Sequence, residues 1–371
     1  MKLLFVCGGS AGHINPAIAI AEEMRNKRPD CEILFVGADK ALEKKLIPDA
    51  GFKLVNIKMS GLRRGFSPED IAHNIKTAIN LFIARFETSK LLKKYKPDIA
   101  VGTGGYICYP VIKKTVKAGI PSYLLEPNAY PGLAVRLLSG IVDKIFVTYK
   151  GDMSGYKKPE RLVYTGTPLR KAFLETAATP VINKQDDKPL VISYWGSLGA
   201  AGMNNKMLEF IKRNISEGKF NHIHATGINS NADEMREKIK NLGVTEVIAP
   251  AADIREYIND MSRVMGSADI VLSRAGASTI VELTALGKPA ILIPSPNVTE
   301  NHQEENAKHI QAAGGAIMIA EKDCTGNSLY ETVSLLLDDK NKLMEMSDAM
   351  ASLSVSDASE KIVEMLLTKG R

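Results

Sequence analysis

Short runs of apolar residues alternate along the chain with longer stretches in which apolar positions recur at helical spacing. Glycine-rich turns follow many of the apolar runs, and several turns lead directly into a predicted helix. Buried strands that alternate with helices are typical of a parallel α/β sheet. The predicted strands are LLFVC, EILFVG, IAVG, PSYLLE, KIFVTY and LVYTG, followed by LVISYW, HIHATG, EVIAP, DIVLSRAG and PAILIP.

The pattern restarts near the middle of the chain. A looser polar segment, LETAATPVINKQDDKP, precedes a second strand, glycine turn and helix like those at the start. We therefore predict two Rossmann-like domains, over 1–167 and 168–353, with a cleft between them. A last helix, at about 354–371, has Ile362, Met365 and Leu366 on its apolar side and is expected to pack back on the first domain.

Composition indicates a folded globular protein. Of the 371 residues, 45% are hydrophobic and 24% charged, which excludes a disordered chain. No apolar run reaches the roughly 18 residues of a membrane-spanning helix, and the apolar start is too short for a secretory signal. The four cysteines have no paired spacing, which excludes a CxxC zinc site and favours a reducing cytoplasm over a disulfide framework.

Charge is distributed unevenly between the halves. Residues 1–165 contain 26 Lys and Arg against 15 Asp and Glu, a net charge of +11, whereas the rest of the chain has −5. A basic half suggests an anionic partner such as a lipid surface, a phosphate or a nucleic acid. A solvated surface with uneven charge explains the same numbers, so charge alone leaves the partner open.

The first glycine turn, GGSAG at 8–12, lacks both the G-x-G-x-x-G spacing and the lysine of a P-loop. Asp39 follows the second strand, where a dehydrogenase has its ribose-binding acid, so that alternative stays open at this point. The turn combines a strand end with the free N–H groups of a helix N-terminus, an arrangement that attracts developing negative charge. His13 comes directly after the turn and is a candidate functional residue, because open α/β sheets bind ligands at this end.

Three more glycine turns follow predicted strands, in GTGGYICYP, WGSLGA and SRAGASTIVEL. In the last, residues 276–279 begin a helix and Glu282 lies one turn inside it, near Thr279. A carboxylate at this position can accept hydrogen bonds from both hydroxyls of a ribose, beside N–H groups that face a phosphate. Alternatively, Glu282 only compensates the helix dipole, as acids near a helix N-terminus commonly do.

These motifs together resemble the MurG family, the peptidoglycan N-acetylglucosamine transferases of glycosyltransferase family 28. The segments GGSAGH, GTGGY, EPNAYPGLA, GTPLR, GSLGA, YINDM, SRAGAST, IVEL and NHQEENA occur in the family's order over about residues 1–320. The resemblance implies a GT-B fold, in which two Rossmann-like domains face each other across a cleft. It also implies inverting transfer of GlcNAc from UDP-GlcNAc to the 4-hydroxyl of the muramyl residue of lipid I, which gives lipid II.

The resemblance assigns roles by position. Ile258 would hold the uracil through its backbone and Glu282 the ribose, while the diphosphate would contact Ser197, Arg170 and the helix start at Ala277, Ser278 and Thr279. Gln303 would bind the sugar hydroxyls. Across the cleft, the expected UDP-GlcNAc and acceptor contacts are Ser10, Ala11, Gly12 and Asn128, with Gly104, Gly105 and Tyr106 near the acceptor or diphosphate.

The incoming hydroxyl needs a base, and His13 is the only histidine within a matched motif of the first half. An unperturbed imidazole, with a pKa of about 6.5, suits the task. Asn128 could orient the hydroxyl instead, so both are candidate catalytic residues. Trp195 and Leu198 depart from the family's usual residues in the phosphate loop.

A long helix is predicted over 68–94, with Ile71, Ile75, Ile79, Phe82 and Phe86 on one stripe. Such a stripe is usually core. The resemblance instead implies an exposed membrane patch formed by Ile75, Ile79, Phe82 and Val116. Basic residues surround it, as peripheral binding to anionic lipid requires; they are Arg63, Arg64, Lys76, Arg85, Lys90, Lys93, Lys94, Lys113, Lys114 and Lys117.

The resemblance implies a peripheral enzyme on the cytoplasmic face of the bacterial membrane, with roles in cell shape and division. The expected partners are UDP-GlcNAc, lipid I, an anionic membrane surface and proteins of cell-wall synthesis or division, but no nucleic acid. No tightly bound cofactor and no metal site are expected, although divalent cations could stimulate the reaction. Two alternatives remain: another GT-B transferase with a lipid or small-molecule acceptor, and a catalytically silent subunit that binds nucleotide sugars.

Overall fold

The structure is a computed structural model that describes residues 1–61, 65, 67–151, 153–179, 187–244, 250–298 and 301–369. Two compact units divide the chain. The first comprises Met1–Arg170 and the chain from Val355 onward, and the second comprises Lys171–Ser354. The boundaries expected from the sequence were after residues 167 and 353.

The first unit is built on a parallel sheet with strand order β3-β2-β1-β4-β5-β6-β7. Its strands are β1 (Lys2–Cys7), β2 (Glu32–Gly37), β3 (Lys53–Asn56), β4 (Ile99–Gly104), β5 (Ser122–Glu126), β6 (Lys144–Val147) and β7 (Leu162–Tyr164). Its helices before the boundary are α1 (Ala11–Lys27), α2 (Ala41–Asp49), α3 (Pro68–Tyr95), α4 (Cys108–Lys117) and α5 (Leu133–Leu138). Strands β1 to β3 are added toward one edge of the sheet and β4 to β7 toward the other, so the strand order reverses between the parallel neighbours β1 and β4, the switch point at which doubly wound sheets bind ligands.

The second unit repeats this plan with strand order β10-β9-β8-β11-β12-β13, again parallel. Its strands are β8 (Leu190–Tyr194), β9 (Asn221–Ala225), β10 (Asp253–Arg255), β11 (Ile270–Ser273), β12 (Ala290–Leu292) and β13 (Ala316–Met318). Its helices are α6 (Lys171–Ala178), α7 (Ala201–Glu217), α8 (Ala232–Lys240), α9 (Met261–Ser267), α10 (Ala277–Ala285), α11 (His302–Ala312), α12 (Gly326–Asp338) and α13 (Lys340–Ser352). The switch point lies between β8 and β11.

The apolar strand runs follow from burial on both faces of each sheet. In β1, Leu3 and Phe5 belong to one buried cluster and Leu4 and Val6 to another, and all four are fully buried. Alternate residues of a strand point to opposite faces, so helices on both sides require a continuous apolar run.

The last helix, α14 (Ala358–Lys369), packs against α1 in the first unit. Ile362, Val363 and Leu366 are fully buried in the same cluster as Leu3 and Phe5. The chain therefore leaves the first unit after Arg170 and returns to it at Val355.

Most of the predicted strands are confirmed, but β3, β10 and β13 were missed. Each of the three lies at the edge of its sheet, where a strand has one neighbour and needs a shorter apolar run. The predicted strand EVIAP, at 246–250, lies almost wholly outside the described residues. Among the described helices, none combines the length and apolar character needed to cross a bilayer.

Two fully buried histidines share one hydroxyl in the core of the second unit. Ser193 Oγ lies 2.8 Å from His222 Nε2 and 2.7 Å from His224 Nδ1. Phe210 packs on His222 with ring centroids 5.0 Å apart. Burial lowers the pKa of His222 well below its usual range and that of His224 to about 3, so both rings are neutral in the fold.

We expect this pair to make the second unit sensitive to acid. Between pH 6.5 and the depressed folded pKa values, the unfolded chain binds more protons, so stability is full above about pH 6.5 and falls below it. The expected loss at pH 5 is about 2 kcal/mol for each histidine. Urea unfolding at pH 8 and pH 5 measures this loss, and His224→Gln should remove about half of it. An unchanged pH dependence in that variant would contradict the assignment.

Candidate functional site

The first glycine turn joins the carboxyl end of β1 to the N-terminus of α1 at the switch point of the first sheet. Gly9 has a positive φ of 89°, and Ser10 is the extended N-cap residue of α1. The carbonyl of Ser10 accepts the backbone N–H of His13 at 3.1 Å. Ala11 and Gly12 therefore form the first turn of the helix, and His13 follows them at the same strand end.

The His13 ring is tied to this turn through Nδ1, which lies 3.0 Å from Gly8 O and 3.2 Å from Ser10 Oγ. A backbone carbonyl can only accept, so the bond to Gly8 places the proton on Nδ1. Nε2 is then the basic nitrogen of the neutral ring. Thr103 Oγ1 donates to the carbonyl of His13 at 2.6 Å and joins α1 to β4.

The second glycine turn packs directly on the first. A Cβ on Gly104 would lie 2.3 Å from His13 Cδ2, and one on Gly105 would lie 2.2 Å from Gly8 O. Both glycines also have positive φ angles, of 119° and 87°. Glycine is required at both positions for space, which brings Gly104 beside His13 and Gly105 beside Gly8; Tyr106, the next residue, is half-exposed.

Asn128 is held by a buried carboxyl group at the end of β5. Glu126, 2% exposed, accepts the backbone N–H and the side-chain amide of Asn128 at 3.0 and 2.8 Å, and the N–H of Gly132 at 2.9 Å. Burial raises the pKa of Glu126, against the effect of these bonds. Because its amide donates to Glu126, Asn128 presents Oδ1 as its acceptor. The sequence reasoning missed Glu126, although an acid that ends an apolar strand is a usable signal.

The glycine loop after β8 is pinned to the loop after β9. The carbonyls of Ser197 and Leu198 accept the N–H groups of Ile228 and Asn229 at 3.1 and 3.3 Å. A Cβ on Gly199 would lie 2.0 Å from Thr226 O. Ser197 is exposed at the carboxyl edge of the sheet.

The two unusual residues of this loop point in different directions. Trp195 is 3% exposed and belongs to the core cluster of the second unit, whereas Leu198 is 56% exposed. Arg274, 8% exposed, lies 6.0 Å from the Trp195 ring and donates to the carbonyls of Ile293 and Pro294 at 3.1 and 3.3 Å. Arg274 also pairs with Glu321 at 2.7 Å, so it braces the loop after β12.

Helix α10 begins at the switch point of the second sheet, with Gly276 as its N-cap and Ala277, Ser278 and Thr279 as its first turn. Ser278 Oγ is buried and has no hydrogen-bond partner among the described residues. The half-buried Glu282 lies one turn further, beside Tyr194 from the end of β8. Burial and then the Glu282 charge raise the pKa of Tyr194, so its hydroxyl stays neutral.

Gln303, in the first turn of α11, accepts the backbone N–H of Ser295 at 2.9 Å through Oε1. Its amide NH₂ is the donor end. Ile258, which follows β10, is 2% exposed. Arg170 is exposed and is the last residue of the first unit before the boundary.

Asp39, the candidate ribose-binding acid of a dehydrogenase, forms an ion pair with Lys44. Its carboxylate lies 2.8 Å from Lys44 Nζ, and this hydrogen bond lowers the pKa of Asp39. Among the described residues, no group of three or more His, Cys, Asp or Glu side chains could hold a metal ion.

Helix α3 exposes its bulky apolar face. Ile75, Ile79 and Phe82 are 58%, 55% and 61% exposed, and the buried face consists of the smaller Thr77, Ala84 and Thr88 with Leu92. Interpretation of the stripe as core is therefore wrong. The exposed apolar residues of this helix, called the α3 patch below, are Ile71, Ile75, Ile79, Phe82, Ile83 and Phe86.

Val116 does not share this exposure, since it is half-buried on α4 and packs against the core. That part of the expected patch is corrected. Most of the expected basic residues flank the α3 patch or lie on α4, with Lys76, Arg85 and Lys90 exposed on α3 itself. Arg63 and Arg64 lie outside the described residues.

Comparisons with known proteins show which family the chain resembles. The profile of the glycosyltransferase family 28 N-terminal domain matches residues 3–147, and that of the family 28 C-terminal domain matches residues 192–362. The chain is 40% identical to the UDP-N-acetylglucosamine–N-acetylmuramyl-(pentapeptide) pyrophosphoryl-undecaprenol N-acetylglucosamine transferase of Acetivibrio thermocellus, over 99% of this chain and 97% of that one. It is 41% identical to the protein of the same name from Caldanaerobacter subterraneus, over 99% and 100%.

Solved structures share the fold. The crystal structure of Acinetobacter baumannii MurG superposes with a TM-score of 0.76 at 22% identity, over 99% of both chains. The calicheamicin glycosyltransferase CalG4 gives 0.69 at 14% identity, over 98% of both. These neighbours confirm the GT-B fold class predicted from the sequence.

Proposed function

The chain belongs to glycosyltransferase family 28, whose members named above transfer N-acetylglucosamine. We propose how it transfers GlcNAc from UDP-GlcNAc to lipid I, forming lipid II, with the residues at the carboxyl ends of the strands in its two units. It is a UDP-GlcNAc-dependent hexosyltransferase, as its full-length relatives are named. The proposal concerns the residues that carry the reaction, the stereochemistry and the surface that meets the membrane.

In the proposed reaction the 4-hydroxyl oxygen of the muramyl residue attacks the anomeric carbon of GlcNAc. The bond between that carbon and the UDP oxygen breaks with inversion, and the hydroxyl proton passes to His13 Nε2. The observation that supports this role is the bond from His13 Nδ1 to Gly8 O, which leaves Nε2 as the basic atom. Asn128, whose amide is fixed by Glu126, is the alternative candidate for orienting this hydroxyl in place of His13.

Inverting transfer builds negative charge on the departing UDP. The N-terminus of α10 offers backbone N–H groups and the positive end of the helix dipole to this diphosphate. The buried hydroxyl of Ser278 can donate a further hydrogen bond to the diphosphate. Glu282 accepts from the ribose hydroxyls, and the backbone of Ile258 contacts the uracil. Ser197, Arg170 and Gln303 keep the diphosphate and sugar roles expected from the family.

The test is an assay with labelled UDP-GlcNAc and a lipid I analogue. Transfer of label into a lipid II product supports the proposal, and an acceptor panel that includes diacylglycerol and a macrolide separates it from other GT-B transferases. A chain that binds UDP-GlcNAc but transfers nothing to any acceptor would be a silent binding subunit, and the proposal would fail. The meeting of the two half-sites across a cleft stays a prediction.

The lipid-borne acceptor requires contact with a membrane, and the α3 patch is the proposed surface. Its three central residues, Ile75, Ile79 and Phe82, are each more than half exposed, and Phe82 and Phe86 stack edge to face at 5.0 Å. Exposed lysines and Arg85 lie on the same helix and can bind anionic headgroups while the apolar side chains enter the interface. The proposed location is peripheral, on the cytoplasmic face of the membrane that the family resemblance implies. Proteins of cell-wall synthesis or division stay candidate partners.

We expect Phe82→Asp to weaken binding to vesicles that contain anionic lipid by about tenfold or more, because burial of a Phe side chain contributes about 1.5–3 kcal/mol. Co-sedimentation with such vesicles measures this, and UDP affinity should not change. Leu335→Asp is the matched control, since Leu335 is 71% exposed on α12 in the other unit. Equal vesicle binding by Phe82→Asp and wild type would exclude the α3 patch.

A further inference from the structure

The peptide bond between Gly8 and Gly9 connects the His13 ring to a buried carboxylate. The N–H of Gly9 donates to Glu43 Oε1 at 2.8 Å, and the carbonyl of Gly8 lies 3.0 Å from His13 Nδ1. The N–H and the carbonyl of one peptide bond lie in one conjugated plane. A single rigid unit therefore makes both hydrogen bonds, on opposite sides.

Glu43 is built into this position. It lies in the first turn of α2, is fully buried, and its second oxygen accepts the backbone N–H of Lys40 at 3.0 Å. Two oxygens that each accept an N–H form the bonding pattern of an ionised carboxylate. Burial of such a group is costly unless hydrogen bonds compensate it, and here both oxygens are bonded.

The glycines around Glu43 leave the space that it needs. A Cβ on Gly8 would lie 2.6 Å from Glu43 Oε1, and one on Gly37 would lie 3.1 Å from Oε2. The absence of a side chain at Gly8 thus leaves room for the Glu43 carboxylate, just as its absence at Gly104 leaves room for the His13 imidazole. The loop sequence and the acid of α2 fit each other.

We propose that Glu43 is a positioning residue that acts on His13 through the Gly8–Gly9 peptide. Hydrogen bonds in a chain polarise one another, so the carboxylate makes the carbonyl of Gly8 a stronger acceptor for Nδ1–H. This fixes the tautomer and stabilises the imidazolium that forms when Nε2 takes the acceptor's proton. The inference rests on the proposed role of His13, and it is analogous to the carboxylate that orients the histidine of a hydrolase triad.

Other titratable groups near this unit do not replace the carboxylate. Burial raises the pKa of Cys7 well above its usual range and that of Cys108 to about 12, so both thiols stay neutral. Asp39 is paired with Lys44, and Lys40 is exposed. Burial raises the pKa of Glu126. This carboxyl group contributes to the raised pKa of Cys108 and accepts a hydrogen bond from the Asn128 amide.

The test compares Glu43→Gln with Asp98→Asn. Asp98 also accepts a backbone N–H, that of Lys2 at 2.7 Å, but at the opposite end of β1. We expect Glu43→Gln to lower kcat about tenfold or more, a part of the 10²–10⁴-fold that a positioned base contributes. The acid limb of its kcat/KM profile should move to lower pH, with the affinity for UDP unchanged. Asp98→Asn should match wild type in all three.

A direct reading comes from ¹⁵N NMR of the His13 ring, assigned by comparison with His13→Gln. Wild type should show the Nδ1–H tautomer, and Glu43→Gln should show less of it. An Nε2–H ring in wild type would overturn the inference even if the Glu43 variant does not fold, as would an unchanged tautomer and pH profile in a folded variant. Normal turnover in His13→Ala would instead defeat the proposed base, while the tautomer result would still test the coupling.

Discussion

Replacement of His13 by alanine is expected to lower the turnover of GlcNAc transfer by about 10²- to 10⁴-fold, the usual contribution of a positioned general base. The reason is geometric: Gly8 O holds Nδ1, and Gly104 and Gly105 give the ring and its turn the space that any side chain would fill. Alanine removes the nitrogen that accepts the proton without filling that space. The measurement is kcat at saturating UDP-GlcNAc and lipid I analogue.

The affinity of the His13→Ala enzyme for UDP should match that of wild type, because the proposed nucleotide contacts belong mainly to the second unit. His309→Ala is the control, since His309 lies half-buried on α11, outside the proposed machinery. Added imidazole should restore part of the lost turnover. If His13→Ala keeps turnover within a few-fold of wild type, His13 is not the base, and Asn128→Ala becomes the variant that decides how the hydroxyl is activated.

Glu282→Ala is expected to weaken UDP binding by about 10- to 150-fold, since hydrogen bonds to a charged group contribute about 1.5–3 kcal/mol. Glu282 lies one turn inside α10, beside the neutral Tyr194 hydroxyl, so a substituted alanine leaves the ribose without a charged acceptor. Isothermal titration with UDP measures the loss. Glu234→Ala is the control, because Glu234 is also near a helix N-terminus but pairs with Lys238 at 2.7 Å.

The 2′-deoxy form of UDP separates the two interpretations of Glu282. A ribose contact predicts that wild type binds 2′-deoxy-UDP more weakly than UDP, and that Glu282→Ala binds the two equally. A carboxylate that only compensates the helix dipole predicts the same ratio in both proteins, with a change in stability instead. Equal ratios would therefore remove Glu282 from the nucleotide site.

Fold prediction succeeded where strands are buried on both faces. In β1 from Leu3 onward and throughout β11 every position is buried, so the apolar run is continuous and the glycine turn after it is easy to recognise. It failed at three sheet edges, where β3, β10 and β13 are only four, three and three residues long. An edge strand forms because a neighbour offers its hydrogen-bonding groups, and local sequence contains no trace of that neighbour.

Site prediction shows the same division. The glycine turns after apolar strands made His13 and the start of α10 candidates, and the family resemblance added Asn128; their roles stay predictions. Neither signal identified Glu43 or Glu126, whose carboxyl groups hold Gly9 and Asn128. Glu43 is far in sequence from the loop that it supports, and the fold alone brings them together.

The α3 patch shows that an apolar stripe at helical spacing is compatible with two different environments. A stripe at helical spacing indicates only that one face is apolar, and the same stripe suits a core or a lipid surface. The tertiary structure decided, because the opposite face supplies the small residues Thr77, Ala84 and Thr88, which let the helix lie close to its own unit. The bulky side chains are left outward.

By itself, the sequence determined the two-unit α/β architecture and the chain's family, and it indicated the strand ends where a ligand site is expected, because these depend on local apolar runs, glycine turns and short motifs. The tertiary structure decided what supports the loop that holds His13 and which face of α3 meets solvent. Each of these depends on contacts between residues far apart in the chain, such as Gly9 with Glu43 and His13 with Gly104. The pattern of apolar and polar residues in a short segment cannot predict such contacts, because they form only when distant segments of the chain fold together.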